Sequence, residues 1–461
     1  MSKLTRREVL RTSAAASAAV AAGLWDANAA IAATTAWRQP QTIRARNGVL
    51  KVTLTARQGL IPFAGGQRWA MTYDGVAPGP TLRMRPGDLL EVTLVNRLNE
   101  PTNLHTHGLH VSPGGVSDNP FLMVDPGERL MYRIRLPKDH PSGLSWYHPH
   151  HHGLVAAQLS LGMTGMIVVD DGIDVSTAMA HTSERLIMLS DPHLGTTAAV
   201  RDTTMREHVH GRAGAVVLLN GVPQPTLQAK ASKIERWRLV NASASRIYSI
   251  QVEDAELTKL GADNGRLGRP VPVNTIWLAP GERGEYLVRP KRAGSLAVMN
   301  AGEQIGTLVA PVAPATPAFT SLPVLPSESH VDRTRTLTMQ PSSTSGMMMG
   351  GTGGAGFSFD GKPFDPNRID QEVKLNTTEV WHIKNLTGMP HPFHIHTWPF
   401  QVLERSDGVR QPGWKDTVLV PPFGDVRIRI DFRDFVGTTL YHCHILDHED
   451  AGMMGVIRVS A

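Results

Sequence analysis

Apolar and polar residues alternate strictly over Val426-Arg427-Ile428-Arg429-Ile430-Asp431-Phe432-Arg433, the period of a strand with one buried face. Many short runs of this kind lie between turn residues; the chain has 43 Gly and 33 Pro, and long helical periodicities are few. The pattern predicts an all-β fold of β-sandwiches. One run recurs three times. Gly87-Asp88-Leu89-Leu90-Glu91-Val92-Thr93-Leu94-Val95-Asn96 leads into His105-Thr106-His107, and Thr378-Glu379-Val380-Trp381-His382-Ile383-Lys384-Asn385 leads into His394-Ile395-His396-Thr397. A middle copy, Ile234-Glu235-Arg236-Trp237-Arg238-Leu239-Val240-Asn241, keeps the strand without the histidines. Trp146-Tyr147-His148-Pro149-His150 is echoed by Leu440-Tyr441-His442-Cys443-His444, and each is followed by a Gly-Met-x-Gly strand, Gly162 to Val169 and Gly452 to Val459. Three copies of one β unit, two with candidate ligands, predict three similar domains. They are expected at 37–175, 176–310 and 327–461, with a Pro-rich connector from Pro311 to Pro326. A low-complexity stretch around Met347, Met348 and Met349 reads as a mobile loop.

Composition narrows the class of protein. Hydrophobic residues make up 41% of the 461 residues, which excludes a disordered chain, and a net charge of +5 without a Lys/Arg stripe argues for no nucleic-acid partner. Thr5-Arg6-Arg7-Glu8-Val9-Leu10-Arg11 resembles a twin-arginine export signal and precedes an Ala-rich apolar run from Thr12 to Leu24. A membrane anchor is the alternative, but that run is too short and too rich in Ala. Residues 1–32 are therefore expected to be a signal peptide, cleaved near Ala29 or Ala32 after passage through the twin-arginine machinery. The mature chain is expected in the periplasm, without a stable membrane anchor. Exported proteins usually use Cys in pairs, yet Cys443 stands alone, flanked by two histidines. That placement points to metal.

Four motifs carry the chemistry: His105-x-His107, His148-x-His150, His391-x-x-His394-x-His396, and His442-Cys443-His444 with His448 and Met453. Successive side chains of a strand point to opposite faces, so each His-x-His aims two imidazoles at one centre or at two close ones. Eight such imidazoles suit a cluster rather than a single ion. In His442-Cys443-His444 the same geometry sends the thiolate to the other face, so a short bonded path joins two centres. Cys443, His391, His448 and Met453 have the composition of a blue-copper electron-transfer site. Zinc is the competing metal, but a structural zinc site leaves the other paired histidines unexplained.

These motifs resemble the four signatures of the multicopper oxidases, a family that includes laccases and bacterial copper-efflux oxidases. The resemblance implies three cupredoxin-like domains and four copper ions. It assigns His391, Cys443, His448 and Met453 to a type 1 copper, and His105 and His394 to a type 2 copper. His107, His148, His150, His396, His442 and His444 fall on a type 3 pair, placing the trinuclear site between domains one and three. It also implies dioxygen as acceptor and either phenols and aromatic amines or cuprous ion as donor. Reducing dioxygen consumes protons, and Asp118 and Glu449 match positions where the family keeps acids. Asp416, in Trp414-Lys415-Asp416, is read either as support for the type 1 ligand loop or as structural support alone. Copper-efflux oxidases share a Met two residues before the first type 1 histidine, here Met389, but carry Asp where this chain has Thr387. Copper-free cupredoxin scaffolds and copper nitrite reductase are alternative readings. The first should show broken motifs, and the second lacks the trinuclear histidines.

Overall fold

The computed structural model describes residues 37–64, 66–170, 182–193, 204–231, 233–311, 330–342 and 356–461. The export segment, most of the Pro311–Pro326 connector and Met347–Met349 lie outside these residues.

Three β-sandwiches follow one another along the chain. In the first, a five-stranded sheet (Thr42–Arg44, Thr81–Met84, Gly165–Val169, Gly143–His148, His105–His107) faces a four-stranded one (Gly66–Tyr73, Val49–Phe63, Leu89–Arg97, Arg129–Arg135). The second pairs sheets of seven and five strands, and the third pairs sheets of six and five. Each has its own core, for example Leu50, Leu90, Val92, Leu94 and Ile134 in the first. Side chains of that size contribute about 1.5–3 kcal/mol each when fully buried.

The threefold repeat holds at the level of hydrogen-bonded register. Strands Leu89–Arg97, Ile234–Asn241 and Thr377–Asn385 each pair in parallel with an earlier strand and antiparallel with a later one. The two histidine-bearing copies agree further. His105–His107 lies antiparallel to Gly143–His148 with His105 opposite His148, and His391–Ile395 lies antiparallel to Gly437–Cys443 with His394 opposite His442. The motifs therefore sit on equivalent strands.

Two strands differ from the half-buried expectation. In Asp425–Phe432 the second half of the polar face is covered as well, because Arg429 and Asp431 pair with each other and Thr378 donates to Asp431, while Arg427 stays exposed. Ile234–Asn241 is buried throughout, its Glu235, Arg236 and Arg238 paired with Arg185, Glu285 and Glu184.

The sandwiches pack closely. Leu144, Trp146 and Val168 of the first, Met188 and Val240 of the second, and Leu446 of the third share one apolar cluster. Three short helices lie at these junctions: α1 (Val155–Ser160), α2 (Met205–His210) and α3 (Leu446–Asp450). Asp450 of α3 accepts from the backbone N–H groups of Gly153, Val155 and Ala156, tying the start of α1 to the third sandwich. Among the described residues no helix is long and apolar enough to cross a membrane.

Candidate metal centre

The four His-x-His pairs converge where the first and third sandwiches meet, and all eight imidazoles are buried. The rings of His105 and His396 stack with centroids 3.9 Å apart, as do those of His107 and His394. Nε2 of His442 lies 3.2 Å from Nε2 of both His150 and His396. Ligand atoms group within metal-binding reach as His105/His394/His396, His105/His107/His148 and His150/His396/His442.

Four of the rings are oriented from behind by the nitrogen that faces away from the cluster. His105 Nδ1 lies 3.1 Å from Asp118, whose carboxylate also accepts from the Thr106 N–H at 2.7 Å. His107 Nε2 lies 3.0 Å from Asp416 Oδ1. His394 Nδ1 donates to the Asp416 carbonyl, and His148 Nδ1 to the Pro149 carbonyl, both at 2.8 Å. The remaining nitrogens, His105 Nε2, His107 Nδ1, His148 Nε2, His150 Nδ1, His394 Nε2, His396 Nδ1 and both of His444, are buried without a partner. Burial and mutual repulsion hold His107, His148, His396, His442 and His444 well below the usual imidazole range, so the rings stay neutral with lone pairs available.

A second cluster lies on the other face of the His442-Cys443-His444 run. Cys443 Sγ is 3.5 Å from His391 Nδ1 and 3.7 Å from His448 Nδ1. The outer nitrogens are fixed: His391 Nε2 lies 2.8 Å from the Thr387 hydroxyl, and His448 Nε2 donates to the Val209 carbonyl of α2 at 3.0 Å. Phe357 packs on both rings. Met453 is fully buried in the same core, held by backbone hydrogen bonds to His448 and Cys443. Burial pushes the Cys443 thiol up and His391 down to about 2.

Two acids stand beside the histidine cluster, and their carboxyls are shifted in opposite directions. Burial works to raise the Asp118 carboxyl, but His105 and the Thr106 N–H bring it below its ordinary value. Glu449 is fully buried, 3.3 Å from His150 Nε2 and 3.0 Å from His442 Nδ1 without the alignment of a hydrogen bond, and burial holds its carboxyl up.

Asp416 corrects an expectation. Instead of the type 1 loop it touches His107 and His394, because it directly precedes Thr417, which lies opposite His394 in the sheet. Sequence reasoning also missed Val209 and Arg283, which reach the site from the ligand-free second sandwich. No local pattern marks either one. Among the other histidines, His110 is buried and bridges the Thr397 carbonyl and Asp434, and His152 packs on Phe364.

Three family models described as multicopper oxidase match residues 55–173, 143–316 and 333–461. A multicopper oxidase of Staphylococcus haemolyticus is 32% identical over 425 residues, covering 90% of this chain and 89% of its own. The cell division protein FtsP of Proteus mirabilis is 27% identical over 452 residues, covering 91% of this chain and 92% of its own. Among solved structures, a multicopper oxidase from Campylobacter jejuni described as a metallo-oxidase superposes with a TM-score of 0.80 at 27% identity, covering 92% of this chain and 96% of that one.

Proposed function

The chain belongs to the multicopper oxidase family, and on that premise we propose that it couples one-electron oxidation of a reducing substrate at a type 1 copper to reduction of dioxygen to water at a trinuclear copper cluster. One observation carries the reading. Seven of the eight clustered histidines present a buried, unpartnered ring nitrogen, next to a separate Cys443-His391-His448 set on the same backbone run. Buried polar atoms are seldom left without a partner, and neutral imidazoles with a thiolate suit copper. A four-ligand zinc site would leave most of these nitrogens unexplained. A copper-free scaffold is not favoured, because all twelve ligand positions hold His, Cys or Met.

In this reading His391, Cys443, His448 and Met453 hold the type 1 ion. His105 and His394 hold the type 2 ion, and His107, His148, His150, His396, His442 and His444 hold the type 3 pair. Bound there, the coppers supply the redox chemistry that joins a one-electron donor to the four-electron demand of dioxygen.

The chain's own residues do the rest. The backbone from Cys443 to His442 and His444 links the two ligand sets. Asp118, held ionised, accepts from His105 Nδ1 and turns Nε2 inward. Glu449, its carboxyl shifted upward by burial, lies 3.3 Å from His150 Nε2 and 3.0 Å from His442 Nδ1, placed to relay protons at the cluster.

The donor is a phenol, an aromatic amine or cuprous ion. Thr387 hydrogen-bonds His391 and Asn385 and presents no carboxylate to a cation, which supports organic donors alongside cuprous ion. Both type 1 imidazoles are fully buried, so a donor meets Thr387 or α2 rather than a bare ring edge. We also infer export to the periplasm by the twin-arginine route, supported by the Thr5–Arg11 run, and domain limits at 37–175, 176–310 and 327–461, supported by the three separate cores.

Copper content, blue absorbance and oxygen uptake of the copper-loaded chain test the reading. About four coppers per chain and uptake driven by cuprous ion or a phenol are expected. One copper or none, or no uptake with either donor, would overturn it.

A further inference from the structure

The second sandwich holds no candidate copper ligand, yet its Arg283 is fully enclosed and uses all five of its N–H donors. Nε donates to the Leu144 carbonyl of the first sandwich at 3.1 Å. Nη1 and Nη2 donate to the Gly281 and Asp263 carbonyls of its own sandwich at 3.2 and 3.0 Å. The remaining N–H of each grips Asp416 of the third sandwich through both carboxylate oxygens, at 2.6 Å each. One guanidinium thus spans all three units.

Asp416 is saturated by this grip. Asn264 donates to Oδ2 at 2.6 Å, Thr417 to Oδ1 at 2.9 Å, and His107 Nε2 approaches Oδ1 at 3.0 Å. Although Asp416, His107 and His394 lie close enough together to hold an ion, the carboxylate has no lone pair left for one. Its function is orientation: with Nε2 of His107 facing Asp416, the unpartnered Nδ1 is the nitrogen that faces the cluster.

The surroundings are shaped for the arginine. At Gly108, directly after His107, a Cβ would fall 2.0 Å from Arg283 Nη2, and φ is +90°. Behind it, Lys415 pairs with Asp263 and Glu282 at 2.9 and 3.0 Å, and Asp263 accepts from the Arg283 backbone N–H.

We infer that Arg283 is a positioning residue for the trinuclear site: by fixing Asp416 it fixes the ring of His107 and the nitrogen that ring offers to copper. This rests on the copper assignment above. Loss of a partner behind a metal-bound histidine typically costs ten- to a hundredfold in metal affinity. Arg283→Lys keeps the charge but cannot make the two-pronged grip, and Asp416→Asn keeps the shape. Each variant, copper-loaded, should retain the blue band but lose trinuclear copper to a competing chelator at ten- to a hundredfold lower concentration than the parent chain, with a weakened or altered paramagnetic signal from the trinuclear site. Should Arg283→Lys not fold, Asn264→Ala removes one hold on the same carboxylate and carries the same comparison. Parent-like chelator resistance and spectra in these variants would overturn the inference. So would parallel loss of blue and trinuclear copper, which would mean that Arg283 only joins the sandwiches. A parent chain that binds no trinuclear copper would instead refute the copper assignment.

Discussion

At the scale of single residues, Cys443 presents the sharpest conflict between environment and chemistry. It is fully buried among Phe357, His391 and His448, and burial pushes its thiol up. A thiolate is stable there only with a cation bound. Cys443→Ser should therefore abolish the blue band and donor-driven oxygen uptake. The fold should survive at a cost of about 1–3 kcal/mol for the buried hydroxyl. A colourless variant with parent turnover would disprove the type 1 assignment. The two acids differ in the same physical way. Glu449→Gln removes a carboxyl that burial keeps up, and Asp118→Asn removes one that His105 and Thr106 keep down. Both variants should take up copper and accept electrons from a donor, yet reoxidise about a hundredfold or more slowly in oxygen, the usual scale of general-acid work. Stopped-flow reoxidation decides it, and parent-like rates in both would remove the acids from proton delivery.

At the scale of elements, the repeat reaches individual side chains. Asn96, Asn241 and Asn385 close equivalent strands, and each amide donates to backbone carbonyls while its Oδ1 accepts from the N–H two residues on. In the third copy the same Oδ1 also accepts from the Thr387 hydroxyl, which meets His391. Asn241→Ala and Asn385→Ala should each destabilise by about 1–3 kcal/mol through the carbonyls left unsatisfied, but only Asn385→Ala should shift the blue band. A shift in both, or in neither, would separate the Asn385-Thr387-His391 chain from the type 1 site. These strands were legible in the sequence because alternation and a repeated motif are local signals. The four ligand motifs were legible for the same reason. Arg283 and Val209 were not, since each acts across a sandwich boundary and lies in a copy stripped of ligands. The role of Asp416 was misread because its partner His107 lies 309 residues away along the chain, and no local pattern links the two.

At the scale of the whole molecule, the sandwiches are joined by a shared apolar cluster and by a wall of buried neutral imidazoles. The imidazoles make the copper-free protein sensitive to acid. Burial brings His140 and His150 down to about 3 and His448 to about 4, and His391 to about 2. Burial also holds His107, His148, His396, His442 and His444 well below the usual imidazole range. In the unfolded chain the same groups titrate near 6.5. As pH falls below that value the unfolded state binds protons that the folded state refuses, so stability is full above about 6.5 and declines on acidification. Each such histidine contributes up to about 1.4 kcal/mol per pH unit within its window. Glu449, Asp450 and Asp191, raised by burial, act in the opposite direction but are outnumbered by the nine histidines. The urea midpoint of the copper-free chain should thus drop steeply between about pH 6.5 and 4.5. A midpoint that stays level through the acid range would mean that these histidines are already protonated in the folded chain. The nitrogens assigned to copper would then not be the lone-pair donors that the cluster requires.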